Sequence, residues 1–200
     1  MEYIEALNRA FFLKINADPG TVPWMIDGAV VIANDLIYLI PVLLSAMWLW
    51  GNEARRKLAI QACLTAILGL GLNQVIGVVG PHPRPFAIGL GHAWTQHVAD
   101  SSFPSDHMTI FTAIDISLLF GRERLLGLLT LAAGLGVAWA RIFIGLHFPL
   151  DMLGAAGVAC FSYVALSPLW RHTGSRLTRF VERLYRSFMA WPIAQGWMRR

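Results

Sequence analysis

Three short polar islands interrupt an otherwise apolar chain: His82-Pro83-Arg84-Pro85, Phe103-Pro104-Ser105-Asp106-His107, and Arg141 followed by His147 and Asp151. Arg84 and Arg141 carry planar forks that match phosphate oxygens in two-point contacts. One histidine can attack phosphorus while a carboxylate orients it, and another can protonate the leaving oxygen. This inventory suits a site that binds a phosphate and breaks a bond to it without a metal. The apolar surroundings point to a lipid as the source of that phosphate.

Each residue also has a plainer reading on its own. Arg141 at a span end would serve as a headgroup-level arginine, and Ser105 as a helix N-cap. His147 and Asp151 stand four residues apart with Pro149 between them, which fits one face of a helix's first turn. There the carboxylate can hold one ring N–H and expose the other nitrogen. Arg84, stiffened between two prolines, would be a loop arginine. What the plain readings do not explain is the joint occurrence.

The elements that must position these residues are membrane spans. The 200 residues are 56% apolar and 14% charged, against about 25% charged in soluble domains. A single all-α domain over residues 1–200 is expected, a polytopic membrane bundle of about five transmembrane helices. The spans fall near 26–50, 58–79, 107–120, 125–145 and 150–170. Residues 2–16 read as an amphipathic helix on the membrane surface, and the arginine-rich tail as a second interfacial helix on anionic lipid. Of the 16 Lys and Arg, 12 fall at Arg55–Lys57, at Arg122 and Arg124, and from Arg171 onward. These clusters flank spans, so the net charge of +4 reports topology rather than nucleic-acid binding. With them in the cytoplasm, all three polar islands reach the opposite, non-cytoplasmic surface. Cys63 and Cys160 read as unpaired packing residues, and Asp115 as packed against Asn34 or Asp35.

Arg84-Pro85, then Pro104-Ser105-x-His107, then Arg141-x5-His147-x3-Asp151 resembles the three-part signature of the type 2 phosphatidic acid phosphatase (PAP2) superfamily, over residues 73–151. HPRPF, DSSFPSDH and GLHFPLDMLG are most similar to its bacitracin-resistance-type branch, the undecaprenyl-diphosphate phosphatases, which implies a bacterial inner membrane with the site facing the periplasm or cell exterior. The resemblance implies His147 as nucleophile, Asp151 as its orienting partner and His107 as acid and then base. It assigns phosphate binding to Arg84, Ser105 and Arg141, with no metal and no cofactor. The implied substrate is a polyprenyl diphosphate lipid, undecaprenyl diphosphate, cleaved to undecaprenyl phosphate and inorganic phosphate. Three positions depart from the pattern. Gly77 replaces the first motif's lysine, Asp106 a glycine, and Ala140 a serine. Gln74, His82 and His97 are candidates to replace the missing cation, and Asp106 must pair or turn away from a bound phosphate.

Other functions share much of this chemistry. A phosphotransferase to lipid A would share the first half-reaction, and a broad lipid phosphatase would take phosphatidylglycerol phosphate or phosphatidic acid. A small anion transporter would need repeated or broken helices that the span pattern lacks. The sequence leaves the oligomeric state open.

Overall fold

Apolar periodicity and the absence of strand-length alternation give helices throughout. The computed structural model describes residues 2–198, and among them regular structure is entirely helical. The elements are α1 (Glu2–Ile15), α2 (Pro23–Asp35), a 3-10 turn (Leu36–Tyr38), α3 (Leu39–Leu49), α4 (Glu53–Val79), a second 3-10 turn (Pro85–Ile88), α5 (Asp106–Phe120), α6 (Arg124–Phe143), α7 (Pro149–Phe188) and α8 (Ala190–Ala194). Among the described residues, four stretches are long and apolar enough to cross a membrane: Pro23–Leu49, Glu53–Val79, Arg124–Phe143 and Pro149–Phe188. The chain is a multi-pass membrane protein.

The third span is as short as the apolar run 107–120 leads one to expect. α5 has 15 residues, a length of about 22 Å, short of the roughly 30 Å hydrocarbon layer. It is the central pillar of the bundle, packed by α4, α6 and α7. Phe111, Ile114 and Leu118 are buried there with Leu58 and Ala62 of α4, Val137 of α6 and Ala159 of α7. Gly69 and Gly134 permit close approach of α4 and α6 to α5, since a Cβ would lie 2.7 Å from the Thr109 side chain at the first and 2.9 Å from that of Phe111 at the second. Because α5 is short, its N-terminus, with Ser105 and His107, starts below the end of the bundle.

The tail departs from expectation. α7 does not stop near residue 170 but runs 40 residues through Pro168, a length of about 60 Å. Proline removes one helical hydrogen bond, yet packing against the start of α4 holds the extension in line. Lys57 Nζ donates to Ser175 Oγ at 2.8 Å, and buried Arg56 donates to Glu182 at 3.2 Å while lying over the Trp48 and Tyr185 rings. Arg55 forks onto Glu123 at 2.6 and 3.0 Å. These contacts gather the basic clusters at one end of the bundle.

At the other end α1 does more than lie on a surface. Its outward stripe includes Tyr3, Ile4, Leu7 and Phe11, while Asn8 and Phe12 face inward. Asn8 Oδ1 accepts from Leu150 N at 3.0 Å, satisfying a free donor in the first turn of α7. Asn16, just after α1, accepts from His92 N at 2.7 Å and donates to Phe143 O at 3.0 Å. It thereby pins the long connection 80–105 to the end of α6. Gly145 has φ +85°, and a Cβ there would meet the His92 carbonyl at 2.1 Å; only glycine fits this turn. Cys63 and Cys160 are free and exposed on the helix surfaces rather than packed inside. Asp115 is buried, and its Oδ2 has no hydrogen-bond partner among the described residues.

Candidate active site

The three islands converge on a cavity of about 300 Å³ at the end of the bundle where α1 packs. Arg84, His107, Arg141 and His147 line it, with Asp106, Gln74 and His97 on its walls.

His147 comes from the connection between α6 and α7 and is buried. Around Nδ1 stand the Ser102 carbonyl at 3.0 Å and Asp151 Oδ2 at 3.3 Å, with Ser102 Oγ at 3.4 Å. The carbonyl and the carboxylate can only accept, so Nδ1 carries the proton and Nε2 holds the lone pair. Nε2 faces Arg84 Nη1 at 3.1 Å. Burial first, then the charges of Arg141 and Arg84, push the imidazole well below its usual range. It is therefore neutral near pH 7, the state a nucleophile needs.

Asp151 lies in the first turn of α7 and is itself held. Its Oδ2 accepts from Phe148 N at 2.7 Å and from the Ser102 hydroxyl in a short bond. Ser102, wholly buried, therefore touches both members of the His–Asp pair. Arg84 follows Pro83 in extended backbone and donates to Leu146 O at 3.0 Å and through Nε to Asp100 at 2.7 Å. Partial burial opposes ionisation of Asp100, but the hydrogen bond and charge of Arg84 outweigh it and hold the carboxyl below its usual range. Arg141, in the last turn of α6, donates to Ala33 O at 3.1 Å, just before α2 gives way to its 3-10 turn. Its Nε has no partner among the described residues, and neither does Ser105 Oγ. Ser105 stands at the N-cap of α5 without making a side-chain cap bond, which leaves its hydroxyl free for another acceptor or donor.

The four candidate secondary residues divide. Asp106 lines the cavity and accepts from Asn73 at 2.8 Å and from Gln74 at 3.4 Å, so amides rather than a cation neutralise its lone pairs. His97 lines the cavity beside Asp100, 4.0 Å away. His82 does not line it. Its ring packs edge-on against Phe148 and lies 3.6 Å from Glu5 of α1, because α1 draws it to the outside of the first island. At Gly77 a Cβ would lie 3.3 Å from Ser101 Cβ; the loop bearing Asp100 packs where the resemblance expects a lysine.

This arrangement can be set against known proteins. The model of the PAP2 superfamily matches residues 58–175. The chain belongs to the PAP2 superfamily. YbjG of Escherichia coli strain K12 is 36% identical over 196 residues, covering 98% of this chain and 99% of the relative. Undecaprenyl-diphosphatase BcrC of Bacillus subtilis strain 168 is 36% identical over 170 residues, covering 84% and 88%. The crystal structure of Aquifex aeolicus LpxE shares the fold, with TM-score 0.66 at 23% identity, covering 80% of this chain and 93% of that one.

Three residues escape sequence reasoning: Asp100 and Asn73, which line this PAP2 cavity, and Ser102, buried behind His147. Asn73 carried a signal, an amide inside an apolar span. Ser102 and Asp100 carried none, since no spacing rule links them to His147 or Arg84.

Proposed function

We propose that this PAP2 protein hydrolyses undecaprenyl diphosphate to undecaprenyl phosphate and inorganic phosphate, by way of a phosphohistidine on His147. The observation that carries the reading is the His147 ring. Acceptors fix its proton on Nδ1, and the unprotonated Nε2 is presented to a cavity lined by two arginines. The 36% identity to a named undecaprenyl-diphosphatase over most of both chains supports the lipid.

In the first step His147 Nε2 attacks the terminal phosphorus and the bond to the bridging oxygen breaks. Undecaprenyl phosphate leaves with a proton from His107. Asp151 and the Ser102 carbonyl hold the Nδ1 proton as the ring becomes cationic. In the second step His107 takes a proton from water, the hydroxide attacks the phosphohistidine, and the P–N bond breaks to release inorganic phosphate. One water is consumed. Arg84, Arg141 and Ser105 meet the equatorial oxygens as charge builds, with the buried Ser105 Oγ and Arg141 Nε supplying free hydrogen-bonding capacity. The arginines supply the charge that a metal would otherwise bring. The end of the bundle bearing the site faces the periplasm of a bacterial inner membrane, since the basic clusters lie at the other end.

The test is phosphate release by purified protein from undecaprenyl diphosphate, phosphatidylglycerol phosphate and phosphatidic acid, with and without EDTA, and with lipid A as acceptor. Undecaprenyl diphosphate should react fastest and EDTA should change nothing. Faster reaction of phosphatidylglycerol phosphate, transfer to lipid A in place of release, or loss with EDTA restored by magnesium would each overturn the reading.

A further inference from the structure

At the end of the bundle opposite the cavity, the extension of α7 turns Arg176, Arg179, Arg183 and Arg186 to one side. With Glu53 of α4 and Glu182 they line a second cavity of about 680 Å³. Glu182 is engaged with buried Arg56 at 3.2 Å and reaches Arg186 only at 3.8 Å. Arg176, Arg179 and Arg183 make no ion pair among the described residues. Guanidinium groups crowded on two turns of helix repel one another and favour a bound anion.

Two further observations say which anion. The same helix exposes Leu177, Phe180, Leu184 and Phe188 by 37%, 51%, 43% and 80%, at a spacing that makes one apolar stripe beside the arginines. Tryptophans mark the depth: Trp48 meets Tyr185 edge-on at 5.8 Å, and Trp50 Nε1 donates to Trp197 O at 3.2 Å. Such residues concentrate at the headgroup level of a membrane. A soluble anion would use the arginines and leave the stripe wet; a phospholipid uses both.

We propose that this cleft binds the headgroup of an anionic phospholipid in the leaflet opposite the reaction site, with its phosphate on Arg176, Arg179 and Arg183 and its acyl chains along the stripe. This differs from a tail lying flat on the membrane, because it is a discrete site between α4 and α7, and it stands independently of the proposed reaction.

The experiment exchanges the full-length protein into phosphatidylcholine micelles containing a minor share of phosphatidylglycerol and counts retained lipids by native mass spectrometry. The wild type should retain phosphatidylglycerol selectively. The triple variant R176Q/R179Q/R183Q should retain about tenfold less or lower still, and F180Q/L184Q should also retain less. Hydrolysis at the distant cavity should be unchanged in both variants, which shows that they are folded. Equal retention by wild type and triple variant would overturn the proposal. So would displacement of the lipid by millimolar inorganic phosphate with no effect of F180Q/L184Q, which would make the cleft a free-anion site.

Discussion

Arg84 places Nη1 3.1 Å from His147 Nε2 while its Nε is held by Asp100 at 2.7 Å. The guanidinium therefore joins the proposed nucleophile to a carboxylate on the long connection 80–105. A cation at that place keeps the ring neutral and stands where phosphate charge must be met. Asp100, more than half exposed at its side chain, is the resident counterion of that cation.

Removing this counterion should strengthen anion binding. Asp100→Asn is expected to lower the inhibition constant for inorganic phosphate and the KM for substrate about two- to fivefold, the range of a partly exposed ion pair. Weaker phosphate inhibition would show instead that Asp100 chiefly aims Arg84.

The His147 environment predicts a ranking of losses. His147→Ala should leave no measurable turnover and no acid-labile, base-stable phosphoenzyme. Asp151→Asn should cost about 10²-fold in kcat. Ser102→Ala keeps the carbonyl on Nδ1 and loses the hydroxyl that bonds Asp151 and lies beside Nδ1, so about tenfold in kcat with little change in KM is expected. The double variant Ser102→Ala/Asp151→Asn should fall short of the product of the two, because both act on one contact. Strict additivity would separate Ser102 from the His–Asp pair.

Stability should decline as pH falls below about 6.5. The unfolded chain takes up a proton on His147 near that value. In the folded chain burial, then Arg141 and Arg84, push the imidazole well lower. The unfolded state thus binds more protons in this window, and each such group costs up to about 1.4 kcal/mol per pH unit. Thermal unfolding in detergent from about pH 7.5 to pH 5.5 should show a steeper loss for wild type than for His147→Gln. Equal slopes would mean a charged ring in the folded protein.

Sidedness is open to labelling. In a background lacking Cys63 and Cys160, a cysteine at His92 should react with an impermeant reagent from the periplasm, and one at Glu123 should not. The reverse result would turn the site toward the cytoplasm.

By itself the sequence determined the bundle and the six proposed catalytic and phosphate-binding residues. Spans follow from apolar length, and the i,i+4 spacing of His147 and Asp151 is local geometry. Only tertiary structure decided the rest. Ser102 meets His147 and Asp151 through a loop path that no periodicity encodes. His82 belongs to the first island by sequence but leaves the cavity because α1 packs against it. Asp106 is sheltered by Asn73 and Gln74 from a different helix. α5 packs against α4, α6 and α7, and α7 continues past Pro168 because the start of α4 holds it. Patterns along the chain report what each segment buries. They do not report which distant segment it meets, and here the partner decides which polar groups face the cavity.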